Sequence, residues 1–131
     1  MLGLPVHLSD DERRQFWTFQ PAPGAQSRLF CLPYGGGGAS AYSPWARKIA
    51  STIQVCPIQP PGRENRHAEM PITRFDRLIE VLVEALGPLL DIPFALYGHS
   101  LGGLAAFEVT LQMLVGEKEL ILGVPFSSAP A

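Results

Sequence analysis

Short, continuous apolar runs alternate with segments of helical periodicity along most of this chain. Four runs, 28–33, 52–58, 94–98 and 120–126, have the composition of strands that are buried on both faces. Helical segments separate them, and a strand, a crossover helix and a second strand form a right-handed unit with parallel strands. The alternation therefore predicts an α/β fold, in which helices flank a parallel sheet. In such a sheet the loops at the carboxyl ends of the strands carry the chemistry.

The helices between these strands have signals of their own. Ser43 followed by Pro44 predicts a helix start, because serine caps helices and proline suits the first helical position, and we expect that helix to continue through residue 50. The segment 74–90 has the clearest helical period, and Thr73 with Asp76 forms a capping-box pattern at its start. Its predicted apolar face consists of Phe75, Leu78, Ile79, Leu82, Leu86, Leu89 and Leu90.

Length and composition favour a globular domain and exclude some classes of partner. The 131 residues suggest one domain or part of a larger one, with an N-terminal arm at 1–27 that holds at most a short helix or strand, and a domain portion at 28–131. A net charge of −2 supplies no basic surplus for nucleic acid or anionic membranes. No run of about 18 apolar residues predicts a membrane span, and the first residues lack a signal-peptide pattern, so we expect a cytoplasmic location.

The two cysteines, Cys31 and Cys56, both fall in predicted strands. We expect buried free thiols in a reducing cytoplasm, with a disulfide or a catalytic thiol as the alternatives. These cysteines and the three scattered histidines lack the spacing of metal ligands. The sequence thus predicts neither a metal nor a cofactor.

The sequence Gly-His-Ser-Leu-Gly, residues 98–102, predicts a nucleophilic serine. Gly98 directly follows a predicted strand and Leu101 begins a predicted helix, as in a nucleophile elbow, the sharp strand-to-helix turn that presents a catalytic serine. Ser100 is the candidate nucleophile, and side chains at 98 and 102 would crowd the turn. The alternative is a serine that merely caps a helix. That helix, 101–114, has an apolar stripe of Leu104, Phe107, Leu111 and Leu114.

A second glycine-rich segment follows the first strand. The residues "PYGGGG", 33–38, are placed to give the second backbone donor of an oxyanion hole, since glycine lets the backbone approach a ligand closely. Phosphate binding is the alternative, but the segment has neither the dinucleotide-binding spacing nor the Walker Lys-Ser/Thr pair.

Three motifs in order, "RLFCLPYGGGGASAYSPWARKI", "IQVCPIQPPGRENRHAEMP" and "FALYGHSLGGLAAFEV", resemble type II thioesterases of nonribosomal peptide and polyketide synthesis. The resemblance implies an α/β-hydrolase fold and the release of acyl groups from the phosphopantetheine arm of acyl or peptidyl carrier proteins. It implies Ser100 as nucleophile, and the N–H groups of Leu101 and Gly35 as the oxyanion hole. The family usually has Ala-Gly-Gly-Ser where Gly35 to Gly38 stand here, which predicts a more flexible loop. For "PPGRENR" we predict only a structural role.

The sequence does not supply the acid and the histidine that would activate Ser100 as a nucleophile. In α/β-hydrolases the acid and then the histidine follow the serine, yet residues 101–131 contain neither histidine nor aspartate. His99, His67 and His7 are poor substitutes, because His99 adjoins the serine and the others lie in a loop and in the arm. We therefore expect roughly the N-terminal half of a thioesterase, truncated after the strand that follows the nucleophile helix and nearly inactive as this chain. The alternatives are a non-catalytic remnant that docks a carrier protein or a partner chain, and another α/β-hydrolase esterase.

Overall fold

Three parallel strands form the sheet of the computed structural model, which describes residues 7–115. Strand β1, Ser27–Leu32, lies between β2, Ile53–Pro57, and β3, Phe94–Gly98. In the strand register, Leu29 of β1 pairs with Val55 of β2 on one side and with Ala95 of β3 on the other. The first three predicted strands are confirmed to within one residue at each end, and the fourth, 120–126, lies outside the described residues.

Helix α1, Asp10–Phe16, joins the predicted N-terminal arm to the core. Ser9 and Glu12 form a capping box at its start, a pattern that is also visible in the sequence. The indole N–H of Trp17 donates to the carbonyl oxygen of Ala85 at 3.0 Å, and the Phe16 side chain is buried in the main core. Part of the predicted arm therefore packs against the domain portion, while the division of the chain at residue 27 stays a prediction.

The helix predicted from Ser43 was wrong in type and in starting point. The segment Ala39–Arg47 is a 3-10 helix that begins after Gly38, with Pro44 inside it. Its first N–H, of Ala39, donates to Gln59 Oε1 at 2.8 Å, so a side chain from another loop satisfies the donor that an N-cap residue would otherwise bond.

Helix α2, Phe75–Leu86, matches the predicted segment but not its predicted cap or length. The capping box was wrong: Arg74 is the N-cap residue without a side-chain cap bond, and Asp76 instead pairs with the guanidinium of Arg74 at 2.6 Å. The helix ends at Leu86 and a 3-10 turn, Gly87–Leu89, follows it, because proline at 88 cannot continue the hydrogen-bond ladder.

Helix α3, Leu101–Val115, matches the predicted segment, and the described side chains of its apolar stripe are exposed. Leu104, Phe107 and Leu111 are 48%, 54% and 41% exposed, and the side chain of Leu114 lies outside those described. The buried face consists of Ala105, Ala106, Val109 and Thr110. Small side chains let the helix axis approach the sheet closely.

The core lies on both faces of the sheet. Phe30 of β1 is level with Cys56 of β2, and both belong to the larger cluster, which α1, α2 and α3 cover. Cys31 is level with Pro57 and belongs to a smaller cluster on the other face, with Tyr42 and the partly buried Trp45 and Tyr97. Both cysteines are buried and unpaired, as predicted, because their side chains point to opposite faces of the sheet. In the span 7–115 we find no helix with the length and apolar character needed to cross a bilayer.

Candidate active site

Ser100 lies in the turn between the end of β3 and the start of α3, in a backbone conformation that is rare for its type. Its φ is +57°, in the left-handed region, which costs a non-glycine residue roughly 1–3 kcal/mol when the surrounding structure holds it there. The Gly102 N–H donates to the carbonyl oxygen of His99 at 3.0 Å, and the Leu104 N–H donates to that of Ser100 at 3.1 Å. These bonds close the turn and leave Ser100 exposed at its apex.

Both glycines of the Gly-His-Ser-Leu-Gly sequence are required by contact distances. A Cβ atom on Gly98 would lie 1.9 Å from the carbonyl oxygen of Gly102, and a Cβ on Gly102 would lie 2.3 Å from the carbonyl oxygen of Leu32. Neither separation is sterically allowed, so the predicted role of these glycines is confirmed. The same contacts hold the start of α3 against the end of β1.

The structure brings the two predicted oxyanion-hole residues together. A Cβ on Gly35 would be 3.5 Å from Leu101 Cδ2, although the two residues are far apart in sequence. Within residues 7–115, neither the Gly35 N–H nor the Leu101 N–H donates a hydrogen bond to the backbone. For Leu101 this follows from its place in the first turn of α3. Both amides are therefore available to a ligand oxygen.

Residues 34–40, the oxyanion loop, form a tight turn and then enter the 3-10 helix. The Gly37 N–H donates to the carbonyl oxygen of Tyr34 at 2.9 Å, and Gly36 between them has a φ of +81°, as the third residue of a type II turn requires. Gly38 leaves space for another loop, because a Cβ there would lie 2.5 Å from Glu64 Cδ.

Side chains that follow β2 hold both ends of this loop, although the sequence predicted only a structural role for the segment that contains Arg63 and Glu64. Arg63 Nη1 donates to the carbonyl oxygens of Gly37 at 2.7 Å and Tyr34 at 3.3 Å. The Glu64 carboxylate accepts from the N–H of Ser40 at 3.1 Å, from the Ser40 hydroxyl and from Gln59 Nε2 at 3.0 Å. Hydrogen bonds from Ser40, then from Gln59, lower the pKa of Glu64 below its ordinary value. No periodic signal marks such contacts in a sequence.

A small cavity of about 60 Å³ adjoins Leu101. It lies between the end of β1, the loop after β2 and the facing sides of α2 and α3. Its lining is apolar except for Arg63, and includes Leu32, Pro60, Ile72, Leu82, Leu101 and Ala105. The cavity can accept a small apolar group beside the candidate oxyanion donors.

The three histidines lie in different parts of the structure. The His99 ring packs edge-on against the Tyr34 ring, with centroids 6.5 Å apart. His67 is exposed at the end of the 3-10 turn Glu64–Arg66, and His7 is exposed before α1. Across residues 7–115, no cluster of three or more His, Cys, Asp or Glu side chains could hold a metal ion.

Comparison with known proteins gives the same family as the motifs. Residues 27–131 match the thioesterase domain family. Over 85 residues the chain is 52% identical to the gramicidin S biosynthesis protein GrsT of Aneurinibacillus migulanus. This match covers 65% of this chain and 33% of GrsT. The chain is 43% identical over 95 residues to the linear gramicidin dehydrogenase LgrE of Brevibacillus parabrevis, covering 71% of this chain and 36% of LgrE.

Among solved structures, the chain is similar to the type II thioesterase BorB from the borrelidin biosynthetic cluster. The TM-score is 0.76 at 34% sequence identity, and the match covers 84% of this chain and 46% of BorB. The chain thus spans between one third and one half of the length of these three proteins, and its parallel sheet with flanking helices is part of an α/β-hydrolase fold. Since the family match includes most of the sequence, the chain belongs to the thioesterase family.

Proposed function

We propose that Ser100 is the nucleophile of a serine thioesterase that releases acyl groups from the phosphopantetheine arm of acyl or peptidyl carrier proteins in nonribosomal peptide and polyketide synthesis. The observation that carries the proposal is the left-handed backbone of Ser100 at a strand-to-helix turn. Such strain at a non-glycine residue is a feature of functional sites. The similarity to a gramicidin S biosynthesis protein and to a type II thioesterase supports the choice of substrate and partner.

In the proposed reaction the Ser100 Oγ attacks the thioester carbonyl carbon and forms a tetrahedral intermediate. Its oxyanion accepts hydrogen bonds from the N–H groups of Leu101 and Gly35, and each such donor contributes about 10²- to 10³-fold in rate in comparable sites. The C–S bond then breaks, the phosphopantetheine sulfur leaves as a thiol with the proton taken from Ser100, and water hydrolyses the acyl-serine ester.

The proton transfers need a base and an orienting acid, which in this fold follow the nucleophile in sequence. Residues 101–131 include no histidine or aspartate. We propose that a polypeptide of just these 131 residues hydrolyses thioesters very slowly, because an unactivated serine hydroxyl is a poor nucleophile at neutral pH. In a serine protease without its triad, about 10³- to 10⁴-fold acceleration over water remains.

A fluorophosphonate probe tests the nucleophile on the protein as its gene encodes it. We expect labelling of the wild type at Ser100, no labelling of Ser100→Ala, and normal labelling of Ser51→Ala, which removes an exposed serine remote from the turn. Equal labelling of wild type and Ser100→Ala would refute the assignment. A polypeptide of just these 131 residues should be labelled far more slowly than one that also carries an acid and a histidine after Ser100.

The substrate class requires a second comparison. A carrier protein loaded with an acyl thioester should be hydrolysed with a higher kcat/KM than a simple acyl ester of the same chain length. The reverse preference would favour a general esterase. The same loaded carrier distinguishes the alternative of a non-catalytic docking protein, which would bind it without releasing its acyl group. We also propose a cytoplasmic location, a reducing compartment that keeps free thiols such as Cys31 and Cys56 reduced.

A further inference from the structure

We propose that Arg63 is a positioning residue that aims the Gly35 N–H at the oxyanion, and that Glu64 fixes the other end of the same loop. This inference rests on the proposed function, since it assigns to the loop after β2 a task in the reaction of Ser100. It concerns the part of the "PPGREN" segment for which sequence alone predicted only a structural role.

The oxyanion loop has little to hold it from within. Four consecutive glycines, 35–38, give its backbone more conformational freedom than any other residue type would. Its internal backbone bonds are those from the Gly37 N–H to the Tyr34 carbonyl and from the Ala41 N–H to the Gly38 carbonyl. A donor that must meet an oxyanion at hydrogen-bond distance needs a narrower range of orientations than this turn defines.

Arg63 restricts the peptide that carries the donor. The carbonyl oxygen of Tyr34 and the N–H of Gly35 belong to one peptide plane, and in a trans peptide they point in opposite directions. The Tyr34 oxygen accepts from the Gly37 N–H at 2.9 Å and from Arg63 Nη1 at 3.3 Å. Anchoring this carbonyl on one side therefore fixes the direction of the Gly35 N–H on the other.

The charge of the guanidinium adds a second effect. Its bond to the Gly37 carbonyl, at 2.7 Å, is charge-assisted, and such bonds are stronger than those between neutral groups. This bond holds the guanidinium in place, while the longer bond from Arg63 Nη1 to the Tyr34 carbonyl, at 3.3 Å, polarises the peptide that carries the Gly35 N–H and makes that N–H a better donor. Arg63 thus both orients the Gly35 amide and strengthens it, although the arginine never touches the substrate carbonyl.

Glu64 secures the point where the oxyanion loop enters the 3-10 helix. Its carboxylate accepts from both the N–H and the hydroxyl of Ser40, and Gln59 accepts from Ala39. Glu64 itself has a φ of +43°, a conformation that L-residues rarely adopt. Gly38 has to be glycine for the carboxylate to reach this position. Both ends of the loop are thereby tied to one short segment.

The test compares Arg63→Gln, Arg63→Lys and the matched surface variant Arg77→Gln in the protein as its gene encodes it. Two quantities are measured: the rate of fluorophosphonate labelling at Ser100, together with kcat and KM for an acyl ester, and the hydrogen exchange of the 34–38 amides. For Arg63→Gln we expect kcat and the labelling rate to fall about tenfold, less than the 10²- to 10³-fold cost of losing a donor outright, with KM nearly unchanged. Loop exchange should quicken about tenfold.

Arg63→Lys keeps the charge but loses the planar guanidinium. Its kcat, labelling rate and loop exchange should therefore lie between those of Arg63→Gln and the wild type. Arg77→Gln should match the wild type in every measurement. The proposal is overturned if Arg63→Gln leaves both labelling and loop exchange unchanged, or if activity falls only in parallel with global unfolding of both Arg63 variants. If the wild type is never labelled at Ser100 while Arg63→Gln still speeds exchange of the loop, the proposed function fails and the anchoring role stands.

Discussion

A Cβ atom on Gly98 would lie 1.9 Å from the carbonyl oxygen of Gly102, so the last residue of β3 and the first turn of α3 are in backbone contact. This contact forces the chain through the narrow turn that leaves Ser100 exposed. It also explains why the turn tolerates a strained serine, since the packing around it leaves no wider path.

Gly98→Ala should destabilise the protein by about 3 kcal/mol, because the added methyl group meets backbone atoms that cannot rotate away. Urea unfolding measures the change. Gly24→Ala is the control, because Gly24 does not have a positive φ and no atom lies within 4 Å of a Cβ built on it. We expect that variant to gain about 0.4–1 kcal/mol. Similar unfolding midpoints for the two variants would contradict the contact.

Trp17→Phe tests whether the segment before β1 is part of the folded domain. The substitution removes the indole N–H that donates to the Ala85 carbonyl at 3.0 Å, which should cost about 1–2 kcal/mol. Trp45→Phe is the control, because the Trp45 ring packs edge-on against Tyr42 and at a tilt against Tyr97 without such a bond among the described residues. A loss for Trp17→Phe no greater than for Trp45→Phe would mean that α1 contributes little to stability.

Thiol reagents should not react with the native protein at pH 8. Burial raises the pKa of both Cys31 and Cys56 to about 12, so almost no thiolate is present and neither sulfur is accessible. Both thiols should react in urea, and the rate in native buffer should follow the opening of the fold. Rapid native reaction of one thiol would show that its side of the core is open.

Acid should release the oxyanion loop at a pH below the ordinary range of a glutamate. Hydrogen bonds from Ser40 and Gln59 lower the pKa of Glu64 in the folded protein. The stabilisation of the loop by the ionised Glu64 carboxylate is therefore complete above the unfolded pKa of about 4.3. That contribution is lost as the pH falls through the folded pKa. Hydrogen exchange of the 38–41 amides between pH 7 and pH 3 measures it.

Glu64→Gln should remove this pH dependence, since the amide does not titrate over the range. Glu80→Gln, which removes a partly buried carboxylate of α2 remote from the oxyanion loop, serves as the control and should retain the wild-type profile. An identical acid profile for Glu64→Gln and the wild type would assign the transition to another carboxylate.

Local sequence determined the strands and the serine turn. Continuous apolar runs mark β1, β2 and β3 because strands buried on both faces need apolar residues throughout. The turn at Ser100 could be predicted because the glycine at 98 is required by a contact with Gly102, which is close to it in the chain. The glycine at 102 is required by the carbonyl oxygen of Leu32 at the end of β1, a contact that only the folded chain brings about. The same local reasoning failed at Ser43 and Thr73, where better partners in the folded chain replaced the predicted caps.

Tertiary structure alone decided how the candidate site is assembled. The 3-10 helix begins at Ala39 because Gln59, from a different loop, accepts its N–H, and α3 turns its alanines rather than its leucines toward the sheet because only small side chains permit the close approach. The anchoring of the Tyr34 carbonyl by Arg63 likewise joins residues 29 positions apart. Contacts of this kind leave no periodic trace in a sequence, since they depend on which loops the sheet brings to the same edge.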